Sequence, residues 1–428
     1  MVTLYQTVKK YKMFDTAKYF ESLNMFGIRL GLAAAEELMA KAGHPEKGLR
    51  FIHLAGTNGK GSTGAMLERA LRQAGLRTGF YTSPHLIDIR ERFRIDGRAV
   101  SVEKFNALGE ELSIRSAGGS YSYFEFATVL AMKIFADAGV DAVIWETGMG
   151  GRLDATNVVL PSAAVITNIA LDHQGHLGNT VAQIAAEKAG IIKAGIPLFY
   201  GVLPDEAKAV ICGRARELDC AVYPPREAIP EVTGFDDICQ KFQYDGREIS
   251  LALPGRMQRE NFRIVYEVLD HFAPRWKFDL NKALSGLAQV VWPARFQHIG
   301  RVIVDGGHNP DGVRALTEAV KERYPDEKFL IVYAAFGDKH APECLPYLET
   351  VAGEFIFTVP GADGRAAYEP EELTGFTKIR SSIEKDPALA VRKAVSQNKY
   401  RVIVSGSLYL AGTALSELLP LEKVLDLQ

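Results

Sequence analysis

Cysteine is scarce: four in 428 residues, at positions 212, 220, 239 and 344. They form neither CxxC pairs nor a close framework, which excludes a disulfide scaffold and a structural zinc site and points to reduced thiols. A basic excess is also missing. Lys and Arg number 50 against 52 Asp and Glu, a net charge of −2, so the chain lacks the electrostatic footprint of a nucleic-acid binder. Polar residues interrupt the N-terminal stretch MVTLYQTVKKYKMF every few positions, and no run elsewhere is long and apolar enough to span a membrane. The expectation is a cytoplasmic protein with no membrane or nucleic-acid partner. Internal repeats and low-complexity segments are absent as well. What remains is an ordinary globular composition, 47% hydrophobic and 24% charged, of a length that suggests two or three domains.

The most informative stretch is Phe51 to Thr63, FIHLAGTNGKGST. Phe51 to Leu54 suit a buried parallel strand, three glycines follow, and after Lys60 and Ser62 apolar residues recur at helical spacing (Met66, Leu67, Ala70, Leu71, Ala74) up to Gly75. A strand, a glycine loop and a helix start aim several backbone N–H groups at one point, with the positive end of the helix dipole behind them. Lys60 adds a compact charge suited to the oxygens of a nucleoside triphosphate. The common GxxxxGK[ST] spacing is missing: Leu54 stands where its first glycine belongs, and Gly61 stands where its hydroxyl belongs. Taken alone, GTNGKGS reads equally well as a turn that packs a helix on a sheet.

From Phe51 onward short apolar runs alternate with helical lengths, at 78–81, 141–145, 163–168 and 196–200. This predicts an α/β fold with a parallel sheet covered on both faces. Residues 241–253 break the alternation with a β-hairpin pattern around Asp245-Gly246. A second alternating series occupies 301–305, 329–335, 354–358 and 401–404, and the Pro- and Gly-containing join at 292–300 separates the two. We expect two α/β domains, a larger one over 1–296 and a smaller one over 297–428, with a cleft between them.

Ligands of open parallel sheets sit at the carboxyl ends of strands. There the chain places Thr82-Ser83-Pro84-His85, then Glu146 through Asn157, then Leu171-Asp172-His173. Ser83, Glu146 and His173 form an oxygen and nitrogen set suited to Mg²⁺ that also holds phosphate. Individually, Glu146 has the alternative of pairing with Arg152, His173 of a backbone bond, and Asp154 of capping a helix rather than meeting substrate.

Together the motifs GTNGKGS, TSPHL, ETGMGGRLDATN, LDH, AAEKAGIIK, LPGRMQRENF, WPARFQ, DGGHNPDG and SGSLYLAG resemble the folylpolyglutamate synthase and dihydrofolate synthase family, relatives of the Mur ligases. The resemblance covers nearly the whole chain. It implies a P-loop-type ATPase domain and a smaller, Rossmann-like α/β domain in an ATP-dependent ligase that joins L-glutamate to dihydropteroate or to reduced folates and their polyglutamates through an acyl phosphate, acting as a monomer; the alternatives are a Mur-type ligase that adds an amino acid to a UDP-linked cell-wall precursor and a non-catalytic ATP-binding switch. It implies that Asn58, Gly59, Lys60, Gly61 and Ser62 bind the ATP phosphates, and that Asn261, Arg295, Asp305 and His308 reach ATP from across the domain interface. Magnesium would be held by Ser83, Glu146 and His173, and a second ion by a carbamylated Lys188; Lys60, His173 and Lys188 are the catalytic candidates. Gly27, Ile28, Arg29, Leu30, Ser122, Tyr123, Phe124, Glu125, Leu153, Asp154 and Ala155 would flank the pterin-bearing substrate. Alternatives stay open for some of these: for Arg295, tying down the linker alone, and for Asp305 with His308, capping the helix after Pro310 alone. Ala294 departs from the family pattern, which has glycine there.

Lys188 has independent support. Thr180 and Gln183 form a capping box, Gly190 supplies a stop, and Val181, Ile184 and Lys188 share a face of the predicted helix. A lysine on an apolar face is desolvated, which favours the neutral amine that carbon dioxide can carbamylate. The alternative is a lysine that snorkels to Glu187 or Asp172.

Overall fold

The computed structural model describes residues 14–23, 31–171, 174–361 and 365–427. The first sheet contains β1 (Phe51–Ala55), β2 (Thr78–Tyr81), β3 (Phe93–Ile95), β4 (Arg98–Ala99), β5 (Ala142–Glu146), β6 (Ala163–Ile166), β7 (Leu198–Tyr200) and β8 (Val222–Tyr223), in the spatial order β4-β3-β2-β5-β1-β6-β7-β8. From β2 to β8 the pairing is parallel. The antiparallel ribbon β3-β4 on the edge was not foreseen, because its strands are too short to show a periodicity. All five residues of β1 are buried at the sheet centre, as its apolar run demands.

A second, three-stranded sheet holds β9 (Val232–Phe235), β10 (Gln240–Tyr244) and β11 (Arg247–Leu251). Strands β10 and β11 are the hairpin expected over 241–253, and Asp245 and Gly246 at its turn have φ of 50° and 69°, the pair of positive values that a tight type I′ turn requires. Its inner face packs with the long helix Arg256–Trp276 into the core beneath the first sheet.

The third sheet holds β12 (Gln297–Ile299), β13 (Val302–Val304), β14 (Phe329–Tyr333), β15 (Ala352–Phe357), β16 (Ser381–Ile383) and β17 (Arg401–Ser405), in the order β12-β13-β17-β14-β15-β16. Only β12 is antiparallel. Cores lie on both of its faces. The larger and the smaller domain touch through side chains that cross between them: Leu86 and Ile87, from the loop after β2, pack into a core of the third sheet, and the buried Arg259 pairs with Glu322. Among the described residues no helix is long and apolar enough to cross a membrane.

Candidate active site

Gly59 closes the glycine loop in the left-handed region at φ 86°, and a Cβ there would sit 2.5 Å from Asn261 Oδ1. Only glycine meets both demands. The helix Lys60–Gln73 begins immediately after it, without a side-chain cap and without an acid in its first turn, so its N-terminus is open to an anion. The loop is clamped by residues that follow β6: Asn58 N–H donates to Asn168 Oδ1 (2.7 Å), and Thr167 Oγ1 donates to Asn58 O (2.6 Å). Asn168 and Thr167 were missed in the sequence, although their place at a strand end marked them. Lys60 Nζ folds back onto Gly56 O at 2.8 Å.

This loop forms one wall of a cavity of about 430 Å³ between the domains. Asn58, Gly59, Lys60, Gly61, Ser62, Ser83, Glu146, Asn261, Arg295, Asp305 and His308 all line it. The chain thus brings together residues separated by up to 250 positions because the parallel strands of both large sheets end there. The smaller domain also contributes Phe336 and Lys339 after β14, and Ser407 and Tyr409 after β17. They follow strands of the second alternating series, whose carboxyl ends carry the same positional signal as those of the first.

Glu146 is buried at the end of β5; Thr82 Oγ1 and Ser83 N–H both donate to its Oε2, the latter at 3.3 Å. Burial raises its pKa, against the opposing pull of Lys60. It does not pair with Arg152, whose guanidinium instead binds Glu187 at 2.7 Å. A buried carboxylate and a serine, Ser83, on one cavity wall offer hard oxygens of the kind magnesium takes. Across the cavity, Asp305 accepts N–H bonds from Phe296 and Gly307, each at 2.8 Å, and burial raises its pKa while Arg295 opposes the rise. Asp305 is therefore not the cap of the helix after it. Asn309 is, accepting from Gly312 N–H at 2.8 Å. His308 Nδ1–H donates to Gly306 O at 2.8 Å. Ala294, where the family pattern has glycine, stands at φ 55°, which gives that glycine its physical reason.

The other candidates collect around the loop after β5, outside the lining of the cavity. Ser122 and Glu125 cap the helix Tyr123–Ala138 reciprocally. Arg92 lies over the Tyr123 ring at 5.2 Å, and a Cβ on Gly148, a cavity residue, would meet the Phe124 ring at 2.5 Å. Asp154 does cap, starting the short turn Ala155–Val158, with Leu153 half-buried just before it. Thr180 and Gln183 form the expected capping box of the helix Val181–Ala189, and Lys188 is buried with Ile184 and Ala185. Gly190 ends that helix in a right-handed conformation, not the left-handed one of a stop signal. It is glycine because a Cβ would lie 2.3 Å from Arg152 Cα. Gly27, Ile28, Arg29, Leu30 and His173 lie outside the described residues. Among the described residues no group of three His, Cys, Asp or Glu side chains is placed to hold a metal ion.

The Mur ligase middle-domain family model matches residues 54–266, and the Mur ligase glutamate ligase-domain model matches residues 294–408. The dihydrofolate synthase/folylpolyglutamate synthase of Bacillus subtilis is 35% identical, over 92% of this chain and 96% of its own. Among solved structures, Mycobacterium tuberculosis folylpolyglutamate synthase complexed with ADP and AMPPCP has a TM-score of 0.81 and 30% identity, covering 91% of this chain and 95% of that one. E. coli FolC in complex with DHPP and ADP has a TM-score of 0.80 and 30% identity, covering 93% of this chain and 95% of that one. The chain belongs to the folylpolyglutamate synthase/dihydrofolate synthase family of Mur ligases.

Proposed function

We propose that the chain is an ATP-dependent amide ligase that adds L-glutamate to dihydropteroate and to reduced folates, releasing ADP and phosphate. The observation that carries this reading is the cavity on which the phosphate loop with Lys60, the acid Glu146, and Arg295 and Asp305 converge from two domains. The chemical problem is that a carboxylate has no leaving group. It is solved when the substrate carboxylate attacks the γ-phosphorus in line and ADP departs, leaving an acyl phosphate. The glutamate amine then attacks the acyl carbon, loses its proton, and phosphate leaves. Two anions meet in the first step, so the open helix N-terminus, Lys60 and Arg295 act by holding and neutralising charge. In this reading Asn58 to Ser62, Asn261, Arg295, Asp305 and His308 hold ATP between two domains divided at 296/297. The pterin-bearing acid lies along Phe124 and Leu153–Ala155. The carboxylate of Glu146, the Ser83 hydroxyl and His173 would hold magnesium, which would supply positive charge beside the phosphates.

Lys188 as a carbamate, an oxygen ligand for a second ion, belongs to the same proposal. Its support is the burial of the side chain on the inward face of its helix. Lys188→Ala should abolish ligation, and a short carboxylic acid in the assay should restore part of it; a variant near wild-type turnover would end the carbamate role. We place the enzyme in the cytoplasm as a monomer. The acyl phosphate is tested with hydroxylamine in place of glutamate. ATP and dihydropteroate should then yield the hydroxamate of the pterin acid, and its absence with an active enzyme would remove the intermediate.

A further inference from the structure

His53 is fully buried in the central strand β1, two residues before that strand ends at the glycine loop. Its Nε2 lies 3.0 Å from Thr156 Oγ1. Asp154 accepts N–H bonds on both oxygens, from Thr156 N at 3.0 Å on Oδ1 and from Met149 N at 2.8 Å on Oδ2; burial raises its pKa, and its hydrogen bonds, that of Thr156 foremost, oppose the rise. The Thr156 hydroxyl has one proton and gives it to Asp154 Oδ1 at 2.5 Å. With Asp154 ionised, His53 donates from Nε2 and Nδ1 is an unprotonated acceptor; among the described residues Nδ1 has no partner. A buried acceptor without a donor costs stability, and an apolar residue would fill this site in a parallel sheet at no such cost. Burial holds the ring neutral, with a pKa lowered to about 3.

The relay ends on functional ground. Asp154 fixes the backbone at Met149, and the adjacent Gly148 lines the cavity with Glu146 while the Phe124 ring packs against it. Thr156 is held from its other side by Trp145 Nε1, which donates to its carbonyl at 3.0 Å. We propose that His53 is a positioning residue: through Thr156 and Asp154 it sets the 148–154 segment against which the pterin-bearing acid lies. This rests on the ligase reading above. It assigns His53 no contact with substrate.

The test uses His53→Phe, which keeps a ring and removes the donor, and His53→Gln, which keeps an N–H. His53→Phe should raise the KM for dihydropteroate at least tenfold while the KM for ATP stays within twofold, and His53→Gln should restore most of the loss. Thr156→Val, a second break in the same relay, should reproduce the split, and the double variant should be no worse than the poorer single one. Equal increases in both KM values, additive losses in the double variant, or an unchanged dihydropteroate KM in folded His53→Phe or Thr156→Val would overturn the proposal. If wild-type enzyme releases no ADP with dihydropteroate and glutamate, the ligase reading fails instead, independently of any variant.

Discussion

Arg259, in the long helix of the larger domain, meets Glu322 of the smaller one in a two-pronged ion pair, Nη2 to Oε1 at 2.8 Å and Nη1 to Oε2 at 3.0 Å. Its Nη1 also donates to Gln240 Oε1 at 2.5 Å, which ties the hairpin sheet into the same junction. The cavity lies between the two domains that this contact joins, so their relative placement shapes its lining. Removing Glu322 leaves a buried guanidinium short of an acceptor. Glu322→Ala should cost on the order of 2 kcal/mol, the usual range for a charged hydrogen-bonded group. A thermal melt should show the loss, and Glu322→Asp should recover little because the shorter acid cannot span both prongs.

Arg295 lines the cavity and draws down the raised pKa of Asp305. Arg295→Ala should leave the melting temperature nearly intact and weaken ATP binding about tenfold to a hundredfold, the equivalent of losing one or two charge-assisted bonds. Isothermal titration with a non-hydrolysable ATP analogue measures it. An unchanged affinity would mean that ATP is held by the larger domain alone.

Glu146 separates stability from turnover. Burial disfavours its ionised form, so the neutral amide of Glu146→Gln should not lower the melting temperature. Turnover should fall by more than a hundredfold at every magnesium concentration, since an amide is a poor substitute for a hard anionic ligand. A variant with near-normal turnover would remove Glu146 from the chemistry.

Acid should weaken the fold through His53. Its folded pKa, about 3, lies below the ordinary 6.5, so the unfolded chain binds a proton that the native state refuses. A depressed histidine pKa gives stability that is present above 6.5 and is lost as pH falls toward 3. At pH 5 the loss relative to pH 7.5 should be on the order of 2 kcal/mol from this group. Denaturant melts at both values measure it, and His53→Gln should flatten the difference by about that amount.

Much of this was legible because local signals agreed with tertiary roles. The apolar run at Phe51, the Asp245-Gly246 turn and the Thr180–Gln183 capping box each specify one local geometry, and each forms where expected. Elements too short for a period, such as β3, β4, β12 and β16, left no trace in the pattern. The site divided in the same way. Residues in the glycine loop and at strand ends announced themselves by position, whereas the clamp of Asn168 on Asn58 depends on β1 and β6 lying side by side, which spacing along the chain does not encode. Gly190 has the sequence signature of a helix stop, whereas its packing against Arg152 is a tertiary contact that the sequence pattern does not encode.

Coupling of ATP cleavage to amide formation in one cavity is measured as ADP release from purified enzyme with ATP and magnesium, with dihydropteroate or tetrahydrofolate, each with and without L-glutamate. Sustained ADP release should require a pterin acid and glutamate together, with one amide formed per ADP. ADP formed at the same rate whether or not the pterin acid and glutamate are present would contradict it.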